Sequence, residues 1–185
     1  RHEVTLVAPI VWSPPYTTTL GLLRGQNQEL TISGILGVDP SSEASLTHID
    51  EYVTGSLIDL ENVSDGVILS KEATSKLGAH NRDVLPFYLQ TTGGLQFCMN
   101  LTLVGVIDDN GLSGLTDLDG KPLLPFKRAE GDYATSSAKE VLILNWRKAL
   151  QIPGATISRI ALQIGDQENP DSFARSVVLE KEYNV

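Results

Sequence analysis

The chain has 185 residues, 41% of them hydrophobic and 20% charged. That is enough for one folded domain, or two closely joined lobes, to bury a core without metals or disulfides. A formal net charge of -9 and a pI near 4.7 give a surface that repels phosphate backbones and anionic lipid, so no nucleic-acid partner is expected. One cysteine, Cys98, leaves no intramolecular disulfide framework.

No stretch approaches the ~18 apolar residues of a membrane span, and no charged-then-apolar secretory signal is present. Arg1 stands where an initiating Met would be, as expected of a fragment or a processed chain.

In chain order, residues 3–12 are rich in β-branched and apolar side chains and predict a strand, bulged or at an edge where Pro9 lacks its N–H. Residues 17–23 and 30–38 predict further strands about the turn-prone Arg24-Gly25-Gln26-Asn27. Asp39-Pro40-Ser41-Ser42 ends that run. Residues 46–52 are ambiguous, and 57–60 read as a short extended piece.

A cleaner unit follows Asp65-Gly66. Val67-Ile68-Leu69 is a short buried strand, Ser70 an N-cap, Lys71 to Leu77 a helix with Ala73 and Leu77 on one face, and Gly78 its stop. Residues 84–91 and 95–107 predict a hairpin turning at Thr92-Gly93-Gly94, with Met99, Leu101 and Leu103 alternating inward. Cys98, flanked by Phe97 and Met99, reads as a buried, unreactive thiol.

Residues 108–139, rich in Gly, Asp and Ser, predict a long surface loop with a mobile tip near 129–137. Val141-Leu142-Ile143-Leu144 is a second four-residue buried strand. Asn145 caps a short helix from Trp146 to Leu150. Residues 157–164 alternate as a half-buried strand. Asn169-Pro170 opens a last helix striped with Phe173, Ala174, Val177 and Val178. Strands with two strand-then-helix units make the fold class α+β.

No set of residues converges on chemistry. His2, His48 and His80 are isolated, and phosphate loops, GxGxxG and GxSxG are missing. Ser136-Ser137-Ala138-Lys139 fits SxxK without its partner motifs and reads as surface loop. Asp117-Leu118-Asp119-Gly120 and Asp108-Asp109-Asn110-Gly111 open like calcium loops, but the twelfth position holds Arg128 or Asp119 instead of Glu. No catalytic residue, cofactor or metal is therefore expected. Trp12 and Tyr16, beside Pro14-Pro15, and Leu112 and Leu115 in the 111–128 loop are the candidates for facing a partner.

The arrangement along the chain resembles the periplasmic core domain of MacB-like and LolC/E-like permeases of the FtsX superfamily. The matching pieces are Ile32-Ser33-Gly34-Ile35-Leu36-Gly37-Val38-Asp39-Pro40, then Tyr52-Val53-Thr54-Gly55-Ser56-Leu57. Val67-Ile68-Leu69-Ser70-Lys71-Glu72-Ala73-Thr74-Ser75-Lys76-Leu77-Gly78 comes next, followed by Leu101-Thr102-Leu103-Val104-Gly105-Val106-Ile107. Val141-Leu142-Ile143-Leu144-Asn145-Trp146-Arg147-Lys148-Ala149 and Ile157-Ser158-Arg159-Ile160-Ala161-Leu162-Gln163-Ile164 complete the order, which spans roughly residues 30–165. The family's Gly-Arg element is met near Gly55 without the Arg.

The resemblance implies a non-catalytic extracytoplasmic domain of an ABC transporter permease in the cell membrane, set between two membrane helices. It implies two lobes: a membrane-proximal α+β lobe from residues 1–33 with 134–185, and an inserted β-rich lobe, 34–133. The implied partners are an ABC ATPase subunit or domain, a second permease copy and an extracytoplasmic accessory protein. The alternative is a stand-alone extracellular binding protein for a small ligand or peptide. A hydrolase using Ser136 and Lys139 is a third reading.

Overall fold

The structure, a computed structural model, describes residues 4–13, 19–26, 28–90, 96–117 and 119–164. The first strand, β1 (Val4–Trp12), is followed by β2 (Gly21–Arg24), β3 (Glu29–Ile32) and β4 (Gly34–Val38). Helix α1 (Pro40–Thr47), a 3-10 turn (Ile49–Tyr52), β5 (Val53–Gly55) and α2 (Asp59–Asn62) come next. Then come β6 (Gly66–Ser70), α3 (Lys71–Leu77), β7 (Val84–Gln90), β8 (Gln96–Ile107) and α4 (Asp109–Gly114). The chain goes on through β9 (Phe126–Ala129), β10 (Asp132–Thr135), a second 3-10 turn (Ala138–Glu140), β11 (Val141–Asn145), α5 (Trp146–Ala149) and β12 (Thr156–Ile164). The α+β class holds. The expected last helix from Asn169 lies outside the described residues.

Ten strands form one mixed sheet in the order β12-β1-β4-β11-β6-β8-β7-β2-β3, with β5 on β8. Strands β4, β6 and β11 are buried along their whole length, which is why they read as unbroken apolar runs. Alternate side chains feed two cores. Ile35, Val67, Leu69, Leu142 and Leu144 enter one, with Ala73 and Leu77 of α3. Leu36, Ile68, Val141 and Ile143 enter the other, with Ile49, Leu60 and Leu112 from the turn and helices that cover it.

Residues 30–38 do not form the single strand expected. The run breaks at Ser33: β3 is the edge strand beyond β2, whereas β4 sits between β1 and β11. Strands joined by one residue must lie close together, so the sheet curls until its far edge returns to β4. Ser33 fastens that corner, its N–H donating to the Glu140 carbonyl at 2.9 Å and its hydroxyl to the Glu140 carboxylate at 3.0 Å. The curl also crosses the expected lobe boundaries. β2 pairs with β7, and β4 pairs with both β1 and β11, so residues assigned to different lobes share one hydrogen-bonded sheet.

The strand-then-helix unit stands as read. Ser70 Oγ accepts the Ala73 N–H at 3.1 Å, and Gly78 ends α3 at φ 62°, a left-handed conformation that favours glycine. Asn145 likewise caps α5, its Oδ1 accepting the Arg147 N–H at 3.0 Å. At Gly37, a Cβ would lie 2.6 Å from Ala149 and 2.9 Å from Val11, so its absence lets α5 press onto the sheet.

Three local readings change. Asp39-Pro40 opens α1, with Pro40 in the first turn, where a missing N–H costs nothing. Residues 59–62 are helix α2, anchored in the second core by Leu60. Residues 108–139 are not mainly a surface loop. They hold α4, the β9–β10 hairpin and the second 3-10 turn, and Leu112, Leu115, Leu123, Leu124 and Ala138 pack into the second core. Spaced leucines in a Gly- and Asp-rich segment give no helical or strand period, so the pattern hid them.

Candidate interaction surface

Among the described residues, the β1–β12 ribbon carries four exposed apolar side chains, Val7, Ile157, Ile160 and Leu162, beside the ion pairs of Arg159. β12 pairs with β1 from Thr156↔Trp12 to Ile164↔Val4, whereas β1 reaches β4 only at Val11 and Trp12. Pro9 falls in the stretch of β1 with a strand on one side only, and the register shifts between Ile10 and Val11. Both features agree with a proline tolerated at an edge or bulge.

One ribbon face is latched to the body. Trp12 is half-buried and donates its indole N–H to the Leu123 carbonyl at 3.1 Å. Its ring meets Phe126 edge-on at 5.6 Å. The Arg159 guanidinium lies 4.3 Å over the same ring, a cation–π placement. Arg159 also donates to Asp117 Oδ2 at 2.7 Å and to the Pro122 carbonyl at 3.0 Å, with Asp119 Oδ1 at 3.6 Å.

Arg159 thus ties β12 to the turn 117–122, itself closed by Asp117 N–H to the Lys121 carbonyl at 2.8 Å. Hydrogen bonds from the Lys121 side chain and then its backbone N–H hold the Asp119 carboxyl below the usual range. Lys121 Nζ sits 2.8 Å from it.

Glu43, on helix α1, is 2% exposed. Burial is the main reason its carboxyl is pushed up to about 6; Asp117 and Asp39 push the same way, and Thr47 and Arg159 oppose.

The opposite ribbon face is open along β12. Val7↔Leu162, Pro9↔Ile160 and Val11↔Ile157 are cross-strand partners and so share a face. Pro9 and Val11 are buried, but Val7 is 48% exposed, Ile157 46%, Ile160 56% and Leu162 41%. Residues 157–164 were expected to be half-buried. Among the described residues no element covers the outer edge or this face of β12. A contiguous apolar strip of this kind marks an interaction surface more often than an isolated exposed leucine does.

Of the residues expected to face a partner, Trp12 is engaged as above and Tyr16 lies outside the described residues. Leu112 and Leu115 are buried in the second core. Their side chains present no surface, because α4 turns them inward behind the Asp108 cap, whose carboxylate accepts the Gly111 N–H at 2.9 Å.

The SxxK pair is not assembled. Ser136 Oγ is buried without a hydrogen-bond partner. Lys139 Nζ instead bonds Glu72 at 3.0 Å, a pairing that raises the lysine. Among the described residues no group of His, Cys, Asp or Glu is placed to hold a metal ion. Cys98 is exposed rather than buried: inward Met99, Leu101 and Leu103 on β8 turn it outward.

Sequence reasoning passed over Arg159 and Glu43. Arg159 carried a signal, as the one charge within the apolar strand Thr156–Ile164. Glu43 carried none, since α1 has almost no apolar stripe.

No protein-family model matches the chain, and no curated protein matches it in sequence. Among solved structures, the periplasmic region of MacB from Actinobacillus actinomycetemcomitans superposes with a TM-score of 0.51 at 14% identity. The match covers 97% of this chain and 67% of that one. This chain shares that fold. At such low identity the likeness belongs to the architecture and assigns no residue a role. It extends from the ribbon through the curled sheet, well beyond the span over which the sequence motifs ran. No helix of the described residues is long and apolar enough to cross a membrane.

Proposed function

We propose that this chain is the extracytoplasmic domain of an ABC transporter permease of the FtsX/MacB/LolC type. In this reading it contacts a substrate or an accessory protein and follows ATP-driven movement of the membrane part. The observation that carries the reading is the fold shared with the periplasmic region of MacB over 97% of the chain.

The ribbon supports it. Val4 and Ile164 are paired, so the first and last described strands meet side by side, an arrangement that suits a domain set between two consecutive membrane helices. The β1–β12 ribbon would then be the element that passes movement into the body, with the Arg159 latch as its first attachment. The apolar strip Val7, Ile157, Ile160 and Leu162 becomes the surface for an accessory protein or a second permease copy. The domain itself does no chemistry, and ATP is handled by a separate cytoplasmic subunit or domain.

The test is to recover the native gene product from membrane and soluble fractions and determine its mass and partial sequence. A membrane-bound chain much larger than 20 kDa, with apolar spans flanking these residues, is expected. A soluble product ending near residues 1 and 185 overturns the proposal and leaves a stand-alone binding protein in its place.

A further inference from the structure

We propose that Asn62 is an acceptor for an N-linked glycan, and that the chain's other Asn-Xaa-Ser/Thr triplet, at Asn100, is not. The inference rests on the extracytoplasmic placement proposed above, since glycan transfer of this kind belongs to secreted and surface chains.

Two triplets have the required pattern, Asn62-Val63-Ser64 and Asn100-Leu101-Thr102. Such triplets also arise by chance, so the pattern alone assigns nothing. The fold treats the two differently.

Asn62 is the last residue of α2, and both Asn62 and Ser64 are exposed. The helix stops there. Val63 is extended, at φ -113° and ψ 107°, and its N–H donates to the Asp59 carbonyl at 2.9 Å. The Gly66 N–H then closes a turn on the Val63 carbonyl at 2.9 Å, with Ser64 in the turn's second position. Val63 packs onto the second core, while its two neighbours face water. Neither the Asn62 amide nor the Ser64 hydroxyl has a hydrogen-bond partner among the described residues. The triplet is thus held at its middle and free at both functional ends.

Asn100 is exposed as well, but it lies within the β7–β8 ladder, opposite Pro86. Its third residue is occupied. Thr102 donates its hydroxyl to Asp65 Oδ2 at 3.1 Å and its N–H to the Asp65 carbonyl at 2.8 Å. Presenting this triplet to an enzyme would mean parting Thr102 from Val84 and Leu101 from Leu85. At Asn62 no strand has to leave the sheet.

The transfer itself balances simply. Asn62 Nδ2 forms a bond to the anomeric carbon of a polyprenyl-phosphate-linked oligosaccharide, and the bond from that carbon to the phosphate oxygen breaks. The amide gives one proton to a base of the transferase, and polyprenyl phosphate leaves. The Ser64 hydroxyl takes no part in the bond changes and is the group by which the triplet is recognised. A glycan here would stand over α2, which Leu60 anchors in the second core. The apolar strip of β12 shares its face with Val11, which enters the first core, so that strip stays clear.

The test reads the protein recovered from its native cell, by mass spectrometry of proteolytic peptides under conditions that keep glycans attached. Expected is a glycan on Asn62 and none on Asn100. In chains expressed in the same host, Ser64→Ala should abolish the modification, Ser64→Thr should keep it, and Thr102→Ala should leave it unchanged. A bare Asn62 in the unaltered chain, a glycan on Asn100, or one on Asn62 that survives Ser64→Ala overturns the proposal. The unaltered chain decides on its own should a variant fail to fold. Labelling intact cells with a membrane-impermeant amine reagent separates this proposal from the placement beneath it. A labelled chain with bare Asn62 overturns the glycan alone, and an unlabelled chain with bare Asn62 overturns the placement with it.

Discussion

The centre of the sheet and its β1–β12 margin are built on opposite principles. β6 and β11 have strands on both sides and a core on each face, so every residue from Gly66 to Ser70 and from Val141 to Asn145 is buried. Their stability is nondirectional apolar burial spread over many side chains. The ribbon has one strand neighbour for most of its length, leaves Ile157, Ile160 and Leu162 of β12 exposed, and adds to the burial of Ala8, Ile10 and Val11 a few directional contacts to Arg159 and Trp12. The centre rests on many burials at once; the margin adds to fewer burials the contacts of single residues.

The largest expected effect tests the centre. Leu69→Ala empties a fully buried site in the first core and should destabilise the domain by about 2–5 kcal/mol, read from the midpoint of urea unfolding. An intermediate effect tests the latch. Arg159→Leu removes two hydrogen bonds and the stacking on Trp12 and should cost about 2 kcal/mol. Amide exchange should show that loss concentrated in residues 115–126 and the ribbon, with β6 and β11 still protected. Protection lost evenly over the sheet would erase the contrast between margin and centre.

The smallest effect sharpens it. Leu162→Ala repeats the chemistry of Leu69→Ala on the open face, where the side chain is 41% exposed, and should cost under about 1 kcal/mol. Thermal unfolding of the two variants side by side reads the difference directly. A Leu162→Ala loss equal to that of Leu69→Ala would mean that this face is covered.

Much of the centre was legible in the sequence because its signals are local. Val67-Ile68-Leu69 followed by Ser70 and Gly78 writes strand, cap, helix and stop within twelve residues, and Val141 to Asn145 does the same for β11 and α5. The apolar runs left only one environment for those strands. The candidate site was far less legible. Trp12 drew notice as an aromatic beside prolines, but its partners lie more than a hundred residues away, at Leu123 and Arg159. Leu112 and Leu115, set in a segment that looked like loop, lie in the core for the same long-range reason.

By itself the sequence determined the α+β class, the two strand-helix units, the inward side of β8, and an acidic chain without a recognisable catalytic motif. Periodicity, caps and composition act over a few residues and need no partner to be read. Only the tertiary structure decided the break at Ser33 that sends β3 and β4 to different places in the sheet. It also decided the curl that joins the expected lobes, the single guanidinium shared among the carboxylates, and the open face of β12. These depend on which distant strands pair and in what register, and that choice is made by the fit of the whole core rather than by any segment alone.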